Sequence, residues 1–194
     1  MKKRLDELRP TQFAVGMFEV ERKIKKIQEL KDKEVQEYLD SHPVPVVISR
    51  EGEYHLIDHH HLVRACWEAG LLKVSIEVKE DFSHMTDKEF WKEMNRLDWT
   101  HLYDQFGNGP HDASLLPMNV RGLADDQYRS LAWALREQGG FKKSPTPFCE
   151  FSWADFLRKK IKIERSEAGF KSALDQAMKL AKTKEAANLP GFRE

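Results

Sequence analysis

Glu53-Tyr54-His55-Leu56-Ile57-Asp58-His59-His60-His61-Leu62-Val63-Arg64-Ala65 is the stretch on which the reading of this chain turns. Tyr54 to Ile57 has the apolar character of a short strand, and His61 to Ala69 has the spacing of a helix, closed by Gly70 at the usual C-terminal glycine position. Between them, one carboxylate and three imidazoles crowd the point where the helix begins. A helix start leaves backbone N–H groups without intrahelical partners and carries the positive end of the dipole, so these residues suit a bound phosphate or metal ion. The competing reading is a polar helix cap with one ring tucked under a loop. Consecutive helical residues point to different faces, so the three rings cannot all converge on one ligand.

Upstream, Pro43 and Pro45 end a helical pattern, and Val44, Val46, Val47 and Ile48 read as a strand. Arg50-Glu51-Gly52-Glu53 turns the chain, which makes this strand and Tyr54 to Ile57 a hairpin. Further back, Val20, Ile24, Ile27 and Leu30 form an apolar stripe on one helix, and Val35, Tyr38 and Leu39 resume it in a shorter one. Arg9 to Val15, punctuated by Pro10 and closed by Gly16, reads as an edge strand. Downstream, Val74, Ile76 and Val78 alternate with Ser75, Glu77 and Lys79 as in a half-buried strand.

Past Asp81 the chain turns to helix and loop. Thr86-Asp87-Lys88-Glu89 is a capping box ahead of Phe90, Trp91, Met94 and Leu97, and residues 103–124 show no period. Asp125 and Asp126 can cap a helix with Tyr128, Leu131, Ala132 and Leu135 inward, ended by Gly139-Gly140. Ser152-Trp153-Ala154-Asp155 has capping-box spacing for another helix, and a last amphipathic one runs from about Ser166 with Phe170, Leu174, Met178 and Ala181. The expectation is an α+β protein. It comprises a small mixed sheet with flanking helices over residues 1–80, a helical annex over 81–165 packed on that core, and a C-terminal amphipathic helix over 166–194.

With 194 residues and 40% hydrophobic content, the chain can fill a sizeable core. Its 32 Lys+Arg balance 32 Asp+Glu, so it lacks the basic excess of a protein that coats nucleic acid through phosphates. The run Arg158-Lys159-Lys160-Ile161-Lys162 reads as a solvated helix face. A helix-turn-helix is rejected, because Gly139 to Phe151 is far longer than the tight turn that motif needs. Cys66 and Cys149 form no disulfide framework, Cys66 reads as a small buried hydrophobe, and the five tryptophans read as core anchors. Without a signal peptide or a membrane-length apolar run, the expected location is the cytoplasm.

The strand, polar turn and helix at Leu56 to Cys66, with Pro45-Val46-Val47-Ile48 and Gly52 before them, resemble the nucleotide-binding motif of the ParB/sulfiredoxin superfamily. Leu8-Arg9-Pro10-Thr11-Gln12 and Trp153-Ala154-Asp155-Phe156 extend the likeness to the bacterial ParB-like nuclease group. His60 stands where sulfiredoxins place a catalytic cysteine, which argues against sulfinic-acid repair. His61 and Leu62 occupy the places of two phosphate-holding arginines of the chromosome-partition proteins, and Arg64 matches a later arginine. The nearest form is Asp-Gly-His-His-Arg of the superfamily's free-serine kinases: Asp58, His60 and His61 match, His59 replaces the glycine and Leu62 the arginine.

The resemblance implies a nucleotide- or phosphoester-binding enzyme, a nuclease or a phosphotransferase, acting on a nucleotide such as ATP, ADP or CTP or on a phosphorylated small molecule. Asp58, His60 and Glu19 are the implied catalytic residues. His59, His60, His61, Arg64, Gln12 and Arg9 are the implied phosphate contacts, and Asp58 the ligand of Mg²⁺ or Mn²⁺. Glu19 also reads as the solvated, dipole-favoured start of its helix. The rival function is a non-catalytic adaptor of ParB-like fold that binds a nucleotide or a protein partner; neither reading involves a membrane.

Overall fold

In a computed structural model of the chain, residues 1–164 and 166–193 are described. They divide into two units, Met1–Asp125 and Asp126–Glu194. The first contains, in chain order, β1 (Lys2–Arg4), β2 (Leu8–Arg9), β3 (Ala14–Val15), α1 (Met17–Glu29), α2 (Asp32–Ser41), β4 (Val44–Ile48), β5 (Tyr54–Leu56), α3 (His60–Glu68), β6 (Lys73–Asp81), α4 (Asp87–Arg96) and β7 (Ala124–Asp125). Five of these strands make a mixed sheet in the order β1-β6-β4-β5-β2, while β3 and β7 pair separately.

The β4–β5 hairpin predicted from the prolines and Gly52 is present, antiparallel, with Val47 opposite His55. Gly52 has a φ of 74°, and its N–H donates to the Ser49 carbonyl at 2.9 Å, a turn that needs the left-handed region. Val44, Val46 and Leu56 are wholly buried, packed with Val20, Ile27, Leu62, Val63 and Cys66 of α1 and α3. Each such Val or Leu contributes about 1.5–3 kcal/mol of transfer free energy, which is why the apolar stripes survive the charged residues around them. A second cluster, Val47, Phe82, Phe90 and Met94, seats α4, whose Thr86–Glu89 capping box forms as the sequence predicts. Burial pushes the Cys66 thiol up to about 12, as expected of an inert core residue.

The second unit consists of α5 (Gln127–Glu137), α6 (Cys149–Arg158) and α7 (Glu167–Leu180). Trp153 is fully buried, stacked on Phe141 at 4.5 Å, and its indole N–H donates to the Pro190 carbonyl at 2.8 Å. Asp126 caps α5 by accepting from the N–H groups of Tyr128 and Arg129, and Arg158 holds its other oxygen at 2.6 Å. Burial nevertheless pushes the Asp126 carboxyl up, against the pull of Arg158.

Several expectations change. The single edge strand over Arg9 to Val15 breaks into β2, an isolated bridge from Gln12 to His101, and β3, while β1 pairs with β6 ahead of it. β7 returns to pair with β3, and the first unit runs to Asp125. Helix α6 starts at Cys149 instead of at Ser152. Phe148 takes a left-handed conformation just before it, and the Ser152 hydroxyl donates to the Phe148 carbonyl inside the helix. Of the five tryptophans expected in the core, Trp153 is wholly buried and Trp67, Trp91, Trp99 and Trp133 are partly buried. Among the described residues, no helix is long and apolar enough to cross a membrane.

His55 gives the sheet an acid sensitivity. Its ring lies 4.8 Å from Phe90 and 5.5 Å from Trp91, and burial lowers its pKa from 6.5 to about 4, although the Glu53 carboxylate opposes the shift. Between those two values the unfolded chain binds the extra proton, so stability is full above about pH 6.5 and falls as pH drops toward 4, by up to about 3 kcal/mol. Urea unfolding at pH 7 and pH 4.5 should show this loss, and His55→Phe should make it distinctly smaller.

Candidate functional site at the start of helix α3

The turn into α3 is built by bonds on either side of it. The Ile57 N–H donates to the Pro45 carbonyl at 3.1 Å, and the Thr11 hydroxyl donates to the Leu56 carbonyl at 2.6 Å, which fixes the end of β5. Asp58 is exposed, and its Oδ1 accepts from the His59 N–H at 2.6 Å. His59 then takes φ 64°, a left-handed conformation costly for a side chain larger than glycine, and α3 begins with no side-chain cap. The His59 Nδ1 is buried without a hydrogen bond, and desolvation holds this imidazole below its usual pKa against the opposing charge of Asp58.

The next two rings diverge, as the helical geometry demands. His60 is 5% exposed, and its Nε2 accepts from the Thr11 N–H at 3.1 Å. That bond requires a lone pair on Nε2, so the ring is in the form with its proton on Nδ1. The His61 Nε2 accepts from the N–H of Gly16, the N-cap of α1, at 3.1 Å and lies 3.6 Å from Glu19 Oε2. Glu19 in turn pairs with Lys23 at 3.4 Å. With Met17 N–H donating to Asp125 Oδ1, the start of α1 is capped by side chains from distant segments, and Glu19 is largely buried instead of solvated.

The structure therefore brings Asp58, His59, His61, Glu19 and Lys23 to one corner, where the charges of Asp58, Lys23, Glu19 and His42 all act on His59. The other candidates have structural partners. Arg64 Nε donates to Glu68, and its Nη1 donates to the carbonyls of Val120, Leu123 and Arg121 at 3.0, 3.0 and 3.3 Å, fastening that turn to α3. Arg9 donates twice to Glu53 and once to the Met118 carbonyl. Gln12 is buried with its amide on the Ala14 carbonyl at 2.8 Å. Among the described residues, no three His, Cys, Asp or Glu side chains are grouped to hold a metal ion, so an ion at this corner would rest on Asp58 and on oxygens brought by a ligand.

An open pocket of about 500 Å³ adjoins Asp58, lined by Pro45, Ile57, Asp58, Lys79, Glu80 and Trp99. From the sequence, Lys79 reads only as part of a strand and Trp99 only as core, and Glu80 is not singled out. Their signal was the charged run Glu77 to Asp81, all of it exposed apart from its backbone pairing. Val46 pairs with Val78 but Val47 with Glu80, so Lys79 is an extra residue in β6, a bulge of the kind that re-aims a side chain. Thr11 lies in the Leu8–Gln12 segment that carries the family likeness, but nothing in the sequence assigns its side chain a role.

The sequence profile of the family described as "Putative ParB-like nuclease" matches residues 1–159. The chain belongs to that family, a ParB-like protein of the α+β class. Among solved structures it is similar to protein Atu1540 from Agrobacterium tumefaciens, at 41% identity and a TM-score of 0.90 over 100% of this chain and 97% of that one. No curated protein matches.

Substitutions at two positions separate packing from strain at this turn. His60→Ala removes the acceptor of a buried N–H and leaves a cavity, so the unfolding free energy from urea titration should fall by about 2–4 kcal/mol. At position 59, a β-branched residue resists the left-handed region, so His59→Val should be less stable than His59→Gly by about 1–2 kcal/mol.

Proposed function

We propose that this ParB-like protein binds a nucleotide or a phosphorylated small molecule at the β5–α3 turn and catalyses phosphoryl transfer or phosphodiester cleavage there. The observation that carries the reading is that α3 opens without a side-chain cap, on a strained left-handed His59, beside exposed Asp58 and an open pocket. Strain of this kind in a non-glycine residue concentrates at functional sites, and helix starts favour anions. His59 and His61 are the imidazoles for the phosphate, with Lys23 as the nearby cation. Asp58 would be the residue to hold Mg²⁺ or Mn²⁺, an ion that commonly takes one or two carboxylates and would neutralise phosphate charge there. Glu19, beside His61, is the candidate base. His60 fastens the turn from behind through Thr11, while Arg64, Arg9 and Gln12 are committed to structural partners.

A non-catalytic adaptor is the second reading. It is favoured by Leu62, buried where kinase-like relatives carry an arginine, and by the carbonyl bonds of Arg64, which leave the phosphate without a guanidinium fork from either position. Isothermal titration with ATP, ADP and CTP, with and without Mg²⁺ or Mn²⁺, decides. The reading requires metal-dependent binding that Asp58→Asn weakens about tenfold, the size of one charge-assisted contact. Binding without turnover would favour the adaptor; no binding in any of the mixtures would refute the phosphate site.

A further inference from the structure

We propose that the pocket lined by Trp99, Asp58, Lys79 and Glu80 is a base-reading subsite selective for guanine. The inference rests on the nucleotide reading above and adds which end of the nucleotide enters the pocket and which base it prefers.

The pocket has one aromatic wall, the Trp99 indole, with apolar Pro45 and Ile57 beside it. Phe82 stacks beside that indole at 6.3 Å and 26°, which supports the ring from within the fold. A flat, partly exposed indole in an open pocket suits a planar heterocycle, because every base offers a π-face for stacking. The polar lining then decides what the heterocycle must present.

With Asp58 assigned to the metal ion, Glu80 carries the negative charge that faces the pocket and Lys79 the positive one, and the Lys79 ammonium lies 2.7 Å from Glu77, so the lining has no net positive charge to offer a phosphate. This field opposes a phosphate inside the pocket. The uncharged base is therefore the end that enters, while the phosphates stay at the start of α3. Carboxylates only accept hydrogen bonds, whereas an ammonium only donates them, through three N–H groups. The lining thus asks for adjacent donors together with an acceptor. Guanine meets this demand: its pairing edge sets the N1–H and N2–H₂ donors side by side, next to the O6 acceptor. Adenine and cytosine each turn a ring-nitrogen acceptor toward the same edge, where a carboxylate would meet it lone pair to lone pair. The bulge matters here, because in an unbulged register Lys79 would pair with Val47 and alternate to the face opposite Glu80, whereas with the extra residue both line one pocket.

The test is calorimetric titration of the full chain with GDP, ADP, CDP, guanosine and pyrophosphate, all with Mg²⁺, repeated on Trp99→Leu and Glu80→Gln. The expected result is GDP binding at least about tenfold tighter than ADP or CDP, with either variant lowering GDP affinity about tenfold, the order of one stacking or bidentate contact. Pyrophosphate affinity should not change in the variants. Glu80 is exposed, so Glu80→Gln keeps the test decisive if Trp99→Leu does not fold. Equal binding of the three diphosphates, or GDP affinity untouched by Glu80→Gln, overturns the inference while the phosphate site stands. Guanosine binding in the absence of pyrophosphate binding upholds the inference and removes the phosphate site. Failure of every compound overturns both.

Discussion

The Thr11 peptide ties this corner of the protein together. Its N–H donates to His60 Nε2, its hydroxyl donates to the Leu56 carbonyl, and its own carbonyl accepts from the Thr100 hydroxyl at 2.9 Å and the His101 N–H at 3.0 Å. Four bonds thus join the first segment of the chain to the end of β5, the first residue of α3 and the segment that follows α4. Thr11 and Thr100 are both buried, so a broken bond here is not replaced by one to water and leaves an orphaned group costing about 1–3 kcal/mol. The start of α3 is consequently positioned from behind by the interior, with no cap in front. The strain at His59, a residue held in the left-handed region, is of similar size, about 1–3 kcal/mol, and the neighbouring bonds are what make it tolerable.

That arrangement gives the three histidines different chemistry although they are adjacent. His60 is a buried acceptor, His61 caps a different helix, and His59 bends the chain. The sequence limits all three to divergent directions, since successive helical residues cannot share a face. It does not say which ring turns inward, because Thr11 and Gly16, the donors that select His60 and His61, lie 49 and 45 residues away. Local sequence alone therefore leaves the division of labour among the three rings open.

The same distinction separates what was legible in the fold. The β4–β5 hairpin, α1, α3 and the Thr86 box are written in local signals: a proline pair, a glycine turn, a three- and four-residue stripe, a capping pair. The breaking of the first strand, the pairing of β3 with β7 and the bulge in β6 depend on partners distant in the chain, and no local pattern specifies them. Residues 103–124 lacked periodicity because their order comes from elsewhere. Asp104 gathers the N–H groups of Phe106 and Asn108, while Arg64 gathers the carbonyls of Val120, Arg121 and Leu123. The Arg64 side chain thus spends its hydrogen bonds on Glu68 and on these main-chain carbonyls.

These departures from the family motif are coupled. Leu62, which replaces an arginine, is buried in the core cluster shared by α1 and α3, so a charged side chain there would have to leave that cluster or be desolvated within it. With Leu62 filling core and Arg64 holding carbonyls, the proposed phosphate site would have to rely on the helix dipole, the imidazoles and Lys23. Burial holds His59 below its ordinary pKa, so near neutral pH it offers a neutral ring with one N–H in place of a full charge. With Lys23 paired to Glu19 and the carboxylate of Asp58 beside it, the proposed site would select a ligand by geometry more than by charge. An ion at Asp58 would change that balance, since two positive charges placed there would reverse the sign of the local field that a phosphate meets.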